Sequence, residues 1–349
     1  MNISDLEFFL IELPASGGAV RSLLVRLASD SGSEGWGETR KWWRAGELAG
    51  RRKGLLAVLA GREVYDVETI LALDALADRA VACGIEMALW DLIARSARQP
   101  LCHLLGGGYR HSVPLSVRLP AGPPETVAHW ARAFSAQAIN SQMISSAGSL
   151  AADLKLVSTL REACGDRVQF RFDGRGRYDF GGALQLCNEL EPDSVQFVLD
   201  PFAGGHAARI AMLRAQSRVA LGVFEALQAP SDIVQLARTG AASYVMVDPV
   251  QVGGIARARQ CAVVADAAGL AASLRIEGTS GLALAATLQL AAATPSFISG
   301  HECSYPLLHD DILAEPLRIA DGMLAVPSGP GLGVEVDRDK IEWYEVKGG

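Results

Sequence analysis

The second half of the chain contains seven short apolar runs, and most of them end at a side chain that could do chemistry. The residues at the seven ends are Ser146, Asp173, Leu199, Glu225, Asp248, Arg275 and Glu302. Carboxylate oxygens are the ligands that Mg²⁺ prefers in proteins, so three carboxylates on successive ends would make a magnesium site. The middle of those three positions is Leu199, which cannot be a ligand. The sequence therefore predicts a site where magnesium is possible but weakened, with Asp173 and Glu225 as its protein ligands.

The spacing of these ends indicates a repeated βα unit. Successive ends are 23 to 27 residues apart, and a strand, a helix of mean length and two short loops add up to roughly 25 residues. From residue 113 onward, eight apolar, β-branched runs alternate with Ala/Leu-rich stretches, and eight strands can close a barrel. Because a β/α barrel carries its active site at the C-terminal ends of its strands, we expect the seven ends to share one mouth.

The N-terminal third has a different pattern. Residues 2–12, residues 21–27 and the segment around GWGE predict three antiparallel strands. Residues 45–60 and 66–99 have helical patterns, clearest over 82–98, and Gln99-Pro100 ends the last helix. The tail, residues 316–346, returns to a β pattern broken by Gly and Pro. We expect it to pack on the N-terminal unit.

The composition of the chain limits the classes of partner that we expect. The chain has 349 residues, a net charge of −7 and a pI near 5.5, and this acidic balance argues against nucleic acid as a partner. No run of 18 apolar residues predicts a membrane span, and the first 13 residues lack the basic start of a secretory signal. Six cysteines without CxxC spacing indicate thiols in a reducing compartment. We therefore expect a cytoplasmic protein with no nucleic-acid or membrane partner.

Several motifs resemble one family. The helix IEMALWDLIAR with the following PLCHLLGG, the turn GWGE, the run DPVQVGG and the tail DDILAEPLRIADGMLAVPSGPGLGV are similar to the mandelate racemase/muconate-lactonizing group of the enolase superfamily. The resemblance implies an α/β fold, a modified TIM barrel of (β/α)7β type over residues 113–315. An α+β capping domain would comprise residues 1–112 and be completed by residues 316–349. Family members remove a proton α to a carboxylate, and a bound magnesium stabilises the resulting enediolate.

The resemblance also assigns the metal positions. Asp173 takes the place of the first ligand, Leu199 of the second and Glu225 of the third. Arg175 stands where an Asn is common, and its charge would oppose a cation and favour an anion. Asp200 follows Leu199, but a one-residue shift points to the other face of the sheet unless a bulge re-aims it. Two alternatives stay open: Asp173 could cap the next helix, and Glu225 could pair with an arginine in a metal-free pocket.

The positions of the family's lysine bases are altered. Where the second strand often carries Lys-x-Lys, this chain has Ile144 and Ser146, and Gln251 replaces a Lys of the sixth strand. None of these is a general base in the usual sense. Together with Arg175, and with Arg40 from the lid-like segment ETRKWWRAG, we assign Ser146 and Gln251 to substrate binding. A solvated charged surface is the alternative for that segment.

The remaining polar ends are candidates for catalysis. Asp248 matches the Asp of a His–Asp dyad in the racemase subgroup, but the answering His is absent from the seventh strand, where Arg275 and Glu277 are the polar residues. Glu302 matches an eighth-strand Glu that donates to the substrate carboxylate. We assign Asp248, Arg275, Glu277 and Glu302 to the catalytic set.

Three functions are consistent with these residues. The first is an isomerase or lyase, of the racemase, epimerase or dehydratase class, that acts on a small anionic substrate by α-proton abstraction. Its substrate would be an acid sugar, a hydroxy acid or an amino acid derivative. The second is a catalytically silent relative that binds a small anion, and the third is a structural subunit without a ligand. The polar residues at the mouth favour the enzyme, which we expect to be a homo-oligomer.

Overall fold

The N-terminal unit is a three-stranded antiparallel sheet covered by helices. A computed structural model describes residues 1–190, 194–204 and 206–347 of the chain. The elements of this unit are β1 (Ile3–Leu13), β2 (Val20–Ser29), β3 (Glu34–Thr39), α1 (Leu48–Leu59), α2 (Val67–Leu71), α3 (Arg79–Ser96) and α4 (Leu101–Leu104). Strand β2 lies between β1 and β3, as the alternating patterns predict.

The central part of the chain alternates strands and helices. Its strands are β4 (Ser112–Arg118), β5 (Ser141–Ser145), β6 (Gln169–Asp173), β7 (Val198–Leu199), β8 (Leu221–Val223), β9 (Tyr244–Val247), β10 (Ala271–Ile276) and β11 (His301–Cys303). Its helices are α5 (Pro124–Ala136), α6 (Leu150–Cys164), α7 (Phe180–Glu189), α8 (Ala207–Arg214), α9 (Pro230–Thr239), α10 (Pro249–Val252), α11 (Ile255–Ala267) and α12 (Gly281–Ala292). Of the helices that the structure describes, none has the length and apolar character needed to cross a membrane.

The eight central strands close into a barrel. Each is parallel to the next, and β11 returns to β4 through the pairs His301↔Leu115 and Glu302↔Ser116. The closed parallel barrel, together with the N-terminal α+β unit, confirms the predicted modified TIM barrel with a capping domain. An open doubly wound sheet, which the same residue spacing would allow, is excluded by this closure.

The tail joins both parts of the molecule. It forms β12 (Ile319–Ala320), β13 (Met323–Ala325) and α13 (Arg338–Tyr344). Strand β13 pairs antiparallel with β4 through Leu324↔Val113, and the backbone N–H of Val346 donates to the carbonyl of Leu10 at 2.8 Å. The tail therefore extends the barrel sheet before it reaches the N-terminal sheet. The division of the chain at residues 112/113 and 315/316 stays a prediction.

Two glycines let the capping sheet lie directly against α3. A Cβ atom at Gly35 would stand 2.3 Å from the carbonyl oxygen of Ala88, and one at Gly37 would stand 2.1 Å from that of Gly84. Both distances are far below van der Waals contact, so only glycine fits where backbone meets backbone. The GWGE motif thus sets how closely β3 approaches α3.

Below its mouth the barrel is filled mainly by apolar side chains, with a buried arginine, Arg171, over the rings of Phe197 and Tyr244. Met143, Phe197, Leu199, Tyr244 and Met246 pack together inside the strands, as the layered interior of such barrels requires. Leu199 is fully buried in this packing. The position that the resemblance assigns to a second metal ligand is therefore part of the hydrophobic core.

A buried carboxylate connects the capping sheet to the barrel. Glu38, on β3, accepts hydrogen bonds from the hydroxyl of Ser22 at 2.6 Å, from the backbone and hydroxyl of Ser280 at 2.6 and 2.7 Å, and from the backbone of Ala283 at 2.9 Å. Because Ser280 and Ala283 start α12, the carboxylate also lies at the positive end of that helix. Burial raises the pKa of Glu38, and these hydrogen bonds offset part of the rise. Glu38 thus holds the two units together.

We predict that Glu38→Ala lowers the free energy of unfolding by about 3 kcal/mol, because it leaves several buried donors without an acceptor. Glu342→Ala is the matched control, since Glu342 is 75% exposed and its one ion pair within the described residues is with Lys347, and it should change stability by less than about 0.5 kcal/mol. Urea denaturation of both variants measures this. Equal losses would contradict the assigned role of Glu38.

Candidate active site at the barrel mouth

An arginine that the sequence analysis did not single out stands at the centre of the mouth. Arg118 is the last residue of β4, and its side chain is 17% exposed. Its guanidinium lies 2.8 Å from Asp173 Oδ2, 3.0 Å from Glu277 Oε1, 3.0 Å from Glu302 Oε1 and 2.7 Å from Ser145 Oγ. Burial alone would lower the pKa of Arg118, but the surrounding carboxylates outweigh it and raise that pKa. Arg118, at the end of β4, therefore joins the ends of four other strands, β5, β6, β10 and β11, in one charged cluster.

The rule that selected the other residues could have found Arg118. The first apolar run of the barrel, VPLSV, is followed directly by this arginine. The seven run ends that indicate the repeated βα unit start with the second barrel strand, at Ser146, and therefore do not include Arg118. A side chain at the end of the first strand of a closed barrel is next to the eighth, which the linear sequence does not display.

A second arginine completes the cluster. Arg275 Nη2 lies 2.6 Å from Glu277 Oε2, and Arg275 Nε lies 3.4 Å from Glu302 Oε1. The guanidinium also stacks over the ring of Phe224, 4.1 Å from its centroid. Burial would raise the pKa of Glu277, but the charges of Arg118 and Arg275 outweigh it and hold that pKa below its usual range. Glu277 is thus an ionised partner of both arginines.

Glu302 is in a different environment from Glu277. The side chain is fully buried, and Oε1 is shared between Arg118 and Arg275. Among the residues that the structure describes, Oε2 has no hydrogen-bond partner. Burial raises the pKa of Glu302, and the nearby guanidinium groups offset only part of this rise. Two neighbouring carboxyls whose pKa values are pushed in opposite directions are the usual basis for separate acid and base roles.

A capping-domain arginine reaches the mouth. Arg40 Nη1 lies 2.6 Å from Asp248 Oδ2 and donates to the backbone carbonyl of Glu277 at 3.1 Å. The side chain of Asp248 is wholly buried, and its other oxygen accepts from the backbone of Val250 at 2.8 Å, at the start of α10. Asp248 is therefore paired with Arg40 and with a helix start instead of with a histidine. Arg40 links the capping domain to the catalytic candidates.

The residues at the predicted metal positions do not fit a magnesium ion. Asp173 Oδ2 is 2.8 Å from Arg118, and its Oδ1 accepts from the backbone of Arg175 at 2.9 Å. Leu199 offers no oxygen. Glu225 is exposed, and no basic side chain in the described part of the chain forms an ion pair with it. Over residues 1–190, 194–204 and 206–347, no three carboxylate, imidazole or thiol side chains are grouped to hold a metal.

Asp200 does not fill the missing position. Its two oxygens accept from the backbone N–H groups of Phe224 and Glu225 at 3.1 and 2.9 Å. Burial raises the pKa of Asp200 to about 7, against these two hydrogen bonds. The carboxylate therefore fixes the loop after β8. Because the guanidinium of Arg118 already occupies the inner face of Asp173, we derive no step through a metal ion.

Two predicted substrate-binding residues are placed outside the cluster. Ser146 Oγ donates to Asp153 Oδ2 at 2.6 Å, and Gln251 Nε2 donates to the carbonyls of Phe224 and Leu227, each at 2.8 Å. Side chains alternate between faces along a strand, and β5 ends one residue earlier than expected. Ser145 therefore faces Arg118 in the place predicted for Ser146. The amide of Gln251 is used to hold a loop.

Arg175 lies beside the mouth. It is exposed and lines a cavity of about 270 Å³ together with Ser145, Ser146 and Arg177. Its backbone has a φ of 52°, in the left-handed region that non-glycine residues rarely adopt. Its predicted contact with a substrate stays a prediction.

His301 precedes Glu302 but serves the opposite face of the strand. Its Nδ1 accepts from the backbone of Leu274 at 2.8 Å, and its ring meets Phe297 edge-on. Burial lowers the pKa of His301 to about 3, with further lowering by the charges of Arg110 and Arg171. The imidazole is therefore neutral in the folded protein, and His301 is a structural residue behind the mouth.

We predict that Arg40→Ala lowers the free energy of unfolding by about 2 kcal/mol, because it leaves the buried carboxylate of Asp248 without its cation. Lys41→Ala is the matched control from the neighbouring position, since Lys41 and its partner Asp78 are 33% and 40% exposed. That control should cost less than about 0.5 kcal/mol. Thermal or chemical unfolding compares the two, and a cost for Lys41→Ala as large as for Arg40→Ala would count against a buried link.

We also predict that His301 contributes to acid sensitivity. Below pH 6.5 the unfolded chain binds a proton at this imidazole, whereas the folded chain does so only near pH 3. Folding stability from this residue is therefore present above pH 6.5 and is lost as the pH falls, by up to about 1.4 kcal/mol per pH unit. The variant His301→Asn keeps an acceptor but cannot titrate. Its unfolding free energy should fall less steeply between pH 6 and pH 4, and parallel curves would refute the assignment.

Comparison with known proteins places the chain in a family. A model of the mandelate racemase/muconate lactonizing enzyme N-terminal domain matches residues 16–106, and a model described as enolase C-terminal domain-like matches residues 125–340. Muconate cycloisomerase 1 of Rhodococcus opacus is 31% identical over 343 residues, which cover 92% of this chain and 90% of that protein.

Two further relatives extend the comparison. D-gluconate dehydratase of Thermoproteus tenax is 24% identical over 349 residues, which cover 93% of this chain and 70% of that protein. The structure of an isomerase from Streptomyces coelicolor A3(2) superposes with a TM-score of 0.88 at 28% identity and covers 98% of each chain. With the closed barrel and the capping sheet, these matches show that the chain belongs to the mandelate racemase/muconate lactonizing enzyme group of the enolase superfamily, a family of isomerase- and lyase-type enzymes.

Proposed function

We propose that this protein is an isomerase or lyase that acts on a small carboxylate by α-proton abstraction. The observation that carries the proposal is the buried Glu302, whose Oε1 lies between two guanidinium groups while its Oε2 has no partner among the described residues. A carboxyl with a raised pKa beside fixed positive charge is suited to move a proton. We propose an acid sugar, a hydroxy acid or an amino acid derivative as substrate.

The arginines would receive the substrate carboxylate. Arg275 has its guanidinium plane fixed by the ring of Phe224, and such planar forks bind carboxylates through two parallel hydrogen bonds. A substrate carboxylate would take over one of the positions that Glu277 holds against Arg275. The same positive charge would then stabilise the enolate as it forms.

Arg40, Asp248 and Arg175 would position the capping domain and the substrate at the mouth. Arg40 places the capping domain over Glu277, and Asp248 holds Arg40 in turn. Arg175 beside the mouth would contact a second polar group of the substrate. The relatives support a carboxylate substrate, since muconate and gluconate occur in the names of two of them.

The expected setting of the protein also stays a proposal. We propose that it works in the cytoplasm as a homo-oligomer, with neither nucleic acid nor a membrane as partner. The net charge of −7 supports the absence of a nucleic-acid partner, and six cysteines without a disulfide support a reducing compartment such as the cytoplasm.

A catalytically silent, anion-binding protein is the second candidate. The observation that favours it is the saturation of Arg118, whose guanidinium meets three carboxylates and a hydroxyl of the chain itself. A cluster in which arginines and carboxylates of the chain are already paired can hold an anion without doing chemistry on it. The two functions differ in whether a bound acid exchanges its α-proton.

The test is α-proton exchange in D₂O, followed by NMR, over a panel of acid sugars, hydroxy acids and N-acylated amino acids. We expect exchange of at least one member, and a decrease of about 10²-fold to 10⁴-fold in Glu302→Gln, because the amide cannot carry the proton. Glu342→Gln, at an exposed position far along the tail, should exchange as the wild-type chain does. Saturable binding of a panel member without exchange would favour the silent protein.

A further inference from the structure

We propose that the guanidinium of Arg118 is the resident cation of the barrel mouth and takes the place of a divalent metal ion. This role holds whether the protein is a catalyst or an anion-binding protein, because it concerns only how the charge at the mouth is balanced. It follows from three observations on the described residues: the oxygens around Arg118, the packing of Leu199 and the charges at the mouth.

The oxygens of four side chains converge on the guanidinium of Arg118. Four side chains, Asp173, Glu277, Glu302 and Ser145, each direct one oxygen at the guanidinium within 2.7 to 3.0 Å. Three of the four are carboxylates, and two of these, Asp173 and Glu302, are at most 6% exposed. Buried carboxylates need a cation or protons to offset the loss of water. Here the cation is a side chain of the same chain.

The packing of Leu199 explains why the cation is not on the other side of Asp173. Leu199 pairs with Asp173 across β6 and β7, and its side chain is fully buried against Met143, Phe197, Tyr244 and Met246. A metal ion on this side of Asp173 would meet methyl groups instead of oxygens. Arg118 approaches Asp173 from the other side of β6, where β5 with Ser145 and then β4 lie.

Arg118 supplies one of the two positive charges that face three carboxylates at the mouth. The guanidinium groups of Arg118 and Arg275 face the carboxylates of Asp173, Glu277 and Glu302. Without Arg118, three carboxylates would share one guanidinium in a mostly buried site. A divalent ion added to the wild-type cluster would instead be repelled by both arginines. The cluster therefore excludes metal with Arg118 present and should accept metal when Arg118 is removed.

The size of the cluster suggests which ion to use as a probe. The oxygens stand at hydrogen-bond distance from the guanidinium nitrogens, which leaves a wider space than the 2.0–2.1 Å bonds of about six ligands around Mg²⁺ require. Ca²⁺ accepts bonds of about 2.3–2.6 Å and an irregular shell. Tb³⁺ has similar size and ligand preference and reports binding through its luminescence. Ca²⁺ and Tb³⁺ are therefore better probes than Mg²⁺.

The 349-residue wild-type chain and the variants Arg118→Ala and Arg118→Lys are titrated with Ca²⁺ by calorimetry and with Tb³⁺ by luminescence. We expect Arg118→Ala to gain one site that binds Ca²⁺ at least about 100-fold more tightly than the wild-type chain, since three carboxylates supply the ligands. Arg118→Lys keeps a positive charge and should gain no site. The double variant Arg118→Ala/Asp173→Asn should lose most of the gain, and Arg275→Ala is the matched control because it leaves Arg118 in place.

Three results would overturn the proposal. They are a 1:1 divalent site of micromolar affinity in the wild-type chain, equal gains in Arg118→Ala and Arg275→Ala, and no gain in Arg118→Ala. If the variant Arg118→Ala does not fold, Arg118→Gln is titrated instead, because it keeps most of the side-chain volume without the charge. The same results are then expected, and the same results would overturn the proposal. These readouts need no substrate, so a failed search for α-proton exchange leaves them unaffected.

Discussion

The contact between the guanidinium of Arg118 and three carboxylates is the interaction on which the mouth of this barrel depends. Arg118 ends the first barrel strand, and its carboxylate partners lie at the C-terminal ends of the third, seventh and eighth strands. Removing charges from water is costly, and a buried pair is favourable only where its partners leave few hydrogen bonds unmade. The cluster meets this condition for Arg118, which also bonds Ser145. Each member therefore restricts the others, and the strand ends are positioned by charge as well as by backbone pairing.

The capping domain is tied to this cluster through the end of one strand. Glu38 on β3 binds the start of α12, and Arg40, two residues later, binds Asp248 and the carbonyl of Glu277. Both contacts involve buried groups, so they resist screening by salt more than surface ion pairs do. The close approach of β3 to α3 at Gly35 and Gly37 fixes the same strand from its other side. The position of the capping domain is thus coupled to Glu277, a partner of both arginines, through Arg40.

Much of the fold and part of the site could be predicted from the sequence, for identifiable reasons. The spacing of the apolar runs predicts the barrel because each βα unit has a nearly constant length. It also places Asp173, Arg275 and Glu302 at strand ends. A shift of one residue along a strand moves a side chain to the other face. For this reason Ser145, and not the predicted Ser146, faces Arg118. Contacts across the closure of the barrel join the first and last strands, so Arg118 and its carboxylates are distant in sequence. The exposure of Glu225 and the loop contacts of Gln251 depend on turns that no periodicity encodes.

Crystallography can show whether Arg118 or a metal ion stands beside Asp173 at the mouth. A crystal of the wild-type protein grown or soaked in about 20 mM Mn²⁺, an ion with oxygen preferences close to those of Mg²⁺, would be measured at the manganese absorption edge. We expect no anomalous peak within bonding distance of Asp173, and a guanidinium of Arg118 within about 3 Å of that carboxylate. An anomalous peak ligated by Asp173, with Arg118 turned away, would contradict this expectation.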